Sequence, residues 1–79
     1  MGKYRLFSVI SKGVNTYVHM QAAKEVFKGS ILSKRYKIIE EAGEVVIVTY
    51  QITNLNTELR EIIKYLYKNG AEGVSVFQH

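Results

Sequence analysis

A glycine-centred hairpin is the feature that most constrains the fold of this chain. Two segments of alternating apolar residues, 34–41 and 45–53, flank Ala42-Gly43. A short connection that contains glycine, placed between two alternating segments, is typical of a β-hairpin. Along the second segment, every other residue is apolar or aromatic, and these residues are Val46, Val48, Tyr50 and Ile52. We therefore expect two adjacent antiparallel strands whose shared apolar side faces the core.

An amphipathic helix is predicted directly after the hairpin. The apolar residues Leu59, Ile62, Ile63 and Leu66 recur at helical spacing, and Gly70 follows them. This spacing predicts a helix that Asn56 caps and Gly70 ends.

A second helix is predicted in the first half of the chain. Asn15 or Thr16 is placed to cap it and Gly29 to end it. One side of this helix would be apolar, formed by Val18, Ala22, Ala23, Val26 and Phe27. Residues 16–22 also alternate, so a hairpin around Lys12-Gly13 is the alternative interpretation.

The alternation of residues predicts a strand near each end of the sequence. Along segment 4–10, Arg5, Phe7 and Val9 alternate with a second set of residues, and Lys3 continues the first set just before the segment. Charged side chains do not enter a small core, so we expect the second set to face it; the set is Tyr4, Leu6, Ser8 and Ile10. In segment 72–78, Val74 and Val76 would face the core, and Ser75 and Phe77 the other side.

The element order βαββαβ predicts an α+β domain. We expect the ferredoxin-like split βαβ plan, with an antiparallel sheet in strand order 4-1-3-2 and both helices on one face. The chain has 79 residues and no cysteine, so one core must form without disulfides or thiolate metal ligands. Residues 1–79 are therefore expected to form a single domain.

Alternation along the strands also predicts which residues occupy the sheet face that no helix covers. Six apolar residues are assigned to it: Phe7, Val9, Ile39, Val45, Ile47 and Phe77. An exposed apolar patch of this kind marks an interaction site. Phe7 and Phe77 beside basic residues are reminiscent of sheets that stack nucleic-acid bases, but segment 44–51 lacks the glycine and aromatic pattern of RNP1.

Charge is distributed unevenly along the chain. The net charge is +4, and residues 1–37 hold eight basic residues against one acid. In the expected topology, strands one and two begin at the same end of the sheet, where the first helix ends. Seven basic residues would converge there: Lys3, Arg5, Lys24, Lys28, Lys34, Arg35 and Lys37. We call this end the basic pole; Glu58 and Glu61 would partly neutralise it, while Glu40, Glu41 and Glu44 lie at the opposite end.

Few residues support catalysis or metal binding. The chain contains no aspartate, no cysteine and two histidines, His19 and His79. We expect His19 to be a partly exposed helix residue and His79 to lie at a frayed end. Glu40 and Glu41 are neighbours on a strand and point to opposite faces, so they cannot share one proton-transfer site. Loop 11–16 offers a lysine and free N–H groups that would suit a small anion, although an ordinary loop and helix cap is the favoured interpretation.

These observations predict a non-enzymatic interaction or regulatory module. It would bind a protein partner or form a homodimer through the open sheet face, and an inhibitor of viral or phage origin is one protein of this kind. The alternative is a module that binds nucleic acid, a nucleotide or another small anion at the basic pole. We expect no catalytic residue, metal or cofactor. No membrane contact is expected either, because no apolar run reaches the length of a span, and a cytoplasmic location follows.

Overall fold

The computed structural model describes residues 4–28 and 35–79. The elements follow one another in the predicted order. A π-helical turn, Leu55–Leu59, leads into the second helix. The strands and helices are β1 (Arg5–Lys12), α1 (Thr16–Phe27), β2 (Tyr36–Ala42), β3 (Val45–Ile52), α2 (Arg60–Lys68) and β4 (Gly73–Gln78).

The four strands form one antiparallel sheet in the order β2-β3-β1-β4. This is the predicted order read from the opposite edge. The α+β class, the antiparallel sheet and the two helices are therefore confirmed. Helix α1 also confirms the helical interpretation of residues 16–22 over the alternative hairpin.

The core lies between one face of the sheet and the two helices. Strand β3 contributes its alternate residues as predicted, and each is at most 2% exposed. Helix α1 supplies Phe27 and small residues, and α2 supplies large aliphatic residues. Together with β1, these elements bury Val46, Val48, Tyr50, Ile52, Ala22, Ala23, Phe27, Ile62 and Leu66.

Strand β1 faces the opposite way from the prediction. Phe7 is 5% exposed and Val9 is 0% exposed, and they lie opposite Tyr50 and Val48 on the core side. Their assignment to the open face is therefore wrong. The prediction relied on Arg5, but Arg5 lies at the first position of the strand, where its side chain reaches solvent past the edge of the core.

Helix α1 and the π-helical turn that leads into α2 each begin at an asparagine cap. The Asn15 side chain accepts a hydrogen bond from the Val18 N–H at 3.1 Å, as predicted. The second cap is Asn54 and not Asn56, because the π-helical turn starts the helical segment earlier. Asn54 accepts from the N–H groups of Asn56 and Thr57. Gly70 ends α2 at a φ of 108°, whereas Gly29 lies outside the described residues.

Two glycines allow sharp changes of chain direction. Gly43 has a φ of 62° and, with Glu44, forms the turn between β2 and β3, one residue later than predicted. Gly13 has a φ of 97°, and a Cβ atom there would lie 3.1 Å from the Gly70 carbonyl oxygen. The loop after β1 therefore packs directly against the loop before β4, where the Glu72 N–H donates to the Lys12 carbonyl at 2.8 Å.

Helix α2 provides a direct test of the core. Ile62 is fully buried and Ile63 is half-buried, although both were predicted to pack on the sheet. We expect Ile62→Ala to lower the free energy of unfolding by about 2–5 kcal/mol, because it leaves a cavity, and Ile63→Ala to cost less. Chemical denaturation of both variants measures the difference. An Ile63→Ala loss equal to or larger than that of Ile62→Ala would contradict this packing.

Candidate interaction surface on the open sheet face

The face of the sheet opposite the helices carries apolar side chains that no described helix covers. Four of the six residues predicted for this surface lie on it, namely Ile39, Val45, Ile47 and Phe77. Leu6 and Ile10 take the places of Phe7 and Val9, because β1 is turned over. We call the set Leu6, Ile10, Ile39, Val45, Ile47 and Phe77 the open-face patch.

The members of the open-face patch differ in exposure. Phe77 is 65% exposed and Ile39 is 52% exposed, whereas Ile10 and Ile47 lie opposite each other at the centre and are half-buried. Singly exposed apolar residues are common on any protein, but a contiguous set on one sheet face is not. The patch is therefore suited to packing against another surface.

A groove of about 550 Å³ runs along the open face. Leu6 and Ile39 form apolar parts of its lining. Thr49 and Gln51 contribute polar groups to the lining, and the side chains of Lys37 and His79 also line it. The groove thus combines apolar walls with a few hydrogen-bonding groups, which is the usual composition of a binding surface.

His79, the last residue of the sequence, is held on this face. It is therefore not frayed, contrary to the prediction. The His79 N–H donates to the Leu6 carbonyl at 2.9 Å. Its Nε2 atom lies 2.5 Å from Ser8 Oγ, which is also 3.0 Å from Thr49 Oγ1. Ser8 is only 6% exposed beneath these partners. This arrangement links the chain terminus to β1 and does not present the serine to a substrate.

The other histidine, His19, belongs to the core. It is 0% exposed, so the prediction of a partly exposed helix residue is wrong. Room for its ring exists because its neighbours on the buried side of α1, Ala22 and Ala23, are small. Both ring nitrogens have partners: Nε2 is 2.6 Å from Ser11 Oγ, and Nδ1 is 2.9 Å from Tyr50 Oη.

The Tyr50 hydroxyl lies 2.9 Å from His19 Nδ1 and 3.2 Å from the His19 carbonyl oxygen. Either neutral tautomer of His19 satisfies both ring nitrogens, because each nitrogen faces a hydroxyl that can donate or accept. Burial lowers the pKa of His19 to about 4, and it raises the pKa of Tyr50. Both side chains are therefore neutral at physiological pH.

The buried histidine predicts a loss of stability on mild acidification. The pKa of His19 is depressed in the folded state relative to 6.5, so the unfolded chain binds the proton more tightly. The contribution is complete above about pH 6.5 and is lost as the pH falls towards 4, amounting to as much as about 3 kcal/mol. We expect denaturant titrations of the wild type to show this decline and those of His19→Gln to lack it. An identical slope in the two proteins would contradict the assignment.

Arg35, predicted as part of the basic pole, has its charge neutralised inside the domain. Its Nη2 atom donates to Glu58 Oε1 at 2.8 Å and to the Gln51 carbonyl at 2.9 Å. The guanidinium carbon also lies 3.9 Å from the centroid of the Phe27 ring. The contact joins the start of β2 to the end of α1 and to the turn before α2. The predicted neutralisation by Glu58 is confirmed for Arg35, and anion binding by Arg35 stays a prediction.

Glu58 is held in its charged form by several donors. Burial raises its pKa, but hydrogen bonds from the Thr53 backbone and hydroxyl, from Arg35 and from the Asn54 backbone outweigh this effect and hold the pKa below its usual value. Its carboxylate therefore joins the end of β3 to Arg35.

Protonation of Glu58 should lower the free energy of unfolding in a more acidic pH range than protonation of His19 does. Because its pKa is depressed on folding, its contribution is present above pH 4.5 and is lost as the pH falls through the folded value. We expect Glu58→Gln to cost about 1–3 kcal/mol at neutral pH, because Arg35 loses its charged acceptor. The variant should approach the wild type in strong acid, as measured by denaturation. A constant difference at every pH would contradict this role.

The remaining predicted cations of the basic pole are only partly described by the structure. Arg5, Lys24, Lys28 and Lys37 are exposed, while Lys3 and Lys34 lie outside the described residues. Lys28 borders a depression shared with three carboxylates, those of Glu25, Glu58 and Glu61. Lys37 lies in the groove of the open face. Anion binding by these residues stays a prediction.

Loop 11–16 is poorly suited to an anion. The Gly13 N–H already donates to the Glu44 carbonyl at 3.1 Å. The adjoining depression is lined by Glu41 and Glu44, whose carboxylates repel negative charge. In residues 4–28 and 35–79, no three histidine or glutamate side chains are grouped to hold a metal ion.

Comparison of the chain with protein-family models, curated proteins and solved structures gave no significant match. Over the part of the chain that the structure describes, neither helix has the length and apolar character needed to cross a membrane.

Proposed function

We propose that this protein is a non-enzymatic interaction module that binds a protein surface through the open-face patch. The observation that carries the proposal is the set of apolar side chains on a sheet face that neither α1 nor α2 covers. Burial of such a surface is favourable by about 25 cal/mol per Å².

The composition of the surface favours a protein over other ligands. The centre of the patch is aliphatic, with Ile10 opposite Ile47. Branched aliphatic side chains pack well against another apolar surface but offer no ring on which a base can stack. Lys37, Thr49 and Gln51 border the apolar residues and supply the polar groups found at the rim of protein interfaces.

The proposed fold plan agrees with this use of the surface. We assign the domain to the ferredoxin-like split βαβ plan, on the basis of its element order and strand order. In this plan both helices pack on the same face of the sheet, so the other face is left for a partner. The plan serves many unrelated functions, so the argument depends on the patch itself.

The nucleic-acid alternative has less support. It relied on Phe7 for stacking and on Arg35 for phosphate contacts, but Phe7 is buried and Arg35 is bound to Glu58. Phe77 and Lys37 are the members of that predicted set that lie exposed on the open face. Salt distinguishes the two functions, because phosphate contacts weaken steeply with ionic strength and apolar contacts do not.

A charge at the centre of the patch tests the proposal. Ile47→Lys introduces an ammonium group beside Ile10, and Tyr17→Lys places the same change on an exposed position of α1 as a matched control. We expect affinity capture from the source cells to retain a protein with the wild type and Tyr17→Lys, and to lose it with Ile47→Lys. Retention should survive nuclease and high salt.

Two results would contradict the proposed function. One is equal retention of the same protein by the wild type and Ile47→Lys. The other is retention that disappears with nuclease or moderate salt, which would favour the nucleic-acid alternative. Circular dichroism of each variant confirms that it is folded before the comparison is made.

A further inference from the structure

The two edges of the sheet differ in how they are protected against pairing with another strand. At the β2 edge, Lys37, Glu40 and Glu41 carry charges, and the register shifts between Ile38 and Glu40. Strand β4 has neither feature: its sequence GVSVFQ contains no charge and no proline, and it pairs with β1 without a break. Charges and bulges are the usual means of blocking an edge, so the β4 edge is open to a further strand.

The register with β1 shows which backbone groups of β4 point outward. The His79 N–H donates to the Leu6 carbonyl, and Phe77 lies opposite Ser8 in the same ladder. Backbone groups alternate in direction along a strand, so the odd-numbered residues of β4 bond to β1. The N–H and C=O groups of Val74, Val76 and Gln78 therefore point away from the sheet.

A side chain from α2 blocks the first of these outward groups. The Val74 N–H donates to the Tyr67 hydroxyl oxygen at 3.1 Å. A strand that pairs with β4 cannot use this donor without displacing Tyr67. Within residues 4–28 and 35–79, no bond to the outward groups of Val76 and Gln78 is found, and these groups limit the register of any added strand.

We propose that two copies of this chain pair antiparallel through β4, about a two-fold axis at Phe77. In this register, Val76 lies opposite Gln78 of the partner subunit, and each such pair exchanges both backbone hydrogen bonds. A register centred on Val76 would require Val74, whose N–H is bound to Tyr67. The result is a continuous eight-stranded sheet.

The side chains at the proposed seam favour a second copy as the occupant. Phe77 is 65% exposed, and in this register it faces the partner's Phe77 across a non-hydrogen-bonded pair, where side chains are closest. Two copies of a chain with net charge +4 repel each other, but β4 brings no charged residue to the seam. In this dimer Phe77 is at the seam, and the other five residues of the open-face patch stay free, so the inference does not depend on the proposed function.

Cysteine cross-linking tests the register directly, because the chain has no cysteine of its own. Phe77→Cys places two sulfur atoms across the two-fold axis, at a Cα separation of about 4.5 Å, which suits a disulfide. Ser75→Cys is the matched control, since it lies on the same face but opposite the partner's His79. We expect rapid disulfide-linked dimers with Phe77→Cys and few with Ser75→Cys. Equal cross-linking of the two variants would overturn the register.

A proline at the edge tests the backbone pairing. Val76→Pro removes an outward N–H and leaves the β1 ladder intact, and proline is tolerated at such edge positions. In sedimentation equilibrium, we expect the dimer dissociation constant to rise on the order of tenfold or more for Val76→Pro, and to stay unchanged for Ile47→Lys. A monomeric wild type at high concentration, or an unchanged constant for Val76→Pro, would overturn the proposal. Loss of the dimer with Ile47→Lys alone would place the interface on the open face.

A charge-swap pair keeps the test decisive if the proline variant does not fold. Phe77→Lys and Phe77→Glu each put like charges opposite each other at the axis, so each should be monomeric. A mixture of the two should form a heterodimer, because the charges are then complementary. Failure of the mixture to associate, while the wild type dimerises, would overturn the proposed position of the axis.

Discussion

The buried contact of Ser11, His19 and Tyr50 determines which way the first strand faces. A histidine with no exposed surface needs a partner for each ring nitrogen, and the hydroxyl groups of β1 and β3 provide them. Ser11 must therefore point into the core, and alternation along β1 carries Phe7 and Val9 in with it. Leu6, Ser8 and Ile10 are left on the opposite side. The composition of the open face is thus a consequence of one polar contact on the core side of the sheet.

Local patterns were sufficient to predict the hairpin and α2, because each depends on residues close together in sequence. The strand order joins distant residues, such as Phe7 and Gln78, and its prediction came from the element order and the rules for connecting strands. The direction of β1 was not predictable in this way. Its two alternate sets, which include Leu6 and Ile10 on one side and Phe7 and Val9 on the other, are equally apolar. The deciding residue was Ser11, whose role appears only when α1 brings His19 against it. Arg5 suggested the wrong orientation for β1, because a charged side chain at the end of a strand reaches solvent from either face.

The charged residues show the same limit of local reasoning. Counting charges along the sequence predicts a basic pole, and the topology does bring Arg35 close to the end of α1, over Phe27. Counting does not show that Glu58, 23 positions away, binds the same guanidinium. The pairing makes Arg35, one of the seven predicted basic-pole residues, a structural link between α1 and the turn before α2. Four of the six apolar residues predicted for the open face were found there, because β2, β3 and β4 faced as their alternation indicated.

The contrast between the two sheet edges also limits how far assembly can proceed. Pairing of β4 with the same strand of a second copy is isologous, so it uses the open edge of both copies at once. The edges that remain are the two β2 strands, where Glu40 and Glu41 carry charge and the register shift at Ile38 interrupts regular pairing. A third copy therefore finds no unprotected edge. In the proposed β4 dimer, assembly would therefore stop at two copies, with the open-face patches of both copies on one continuous sheet.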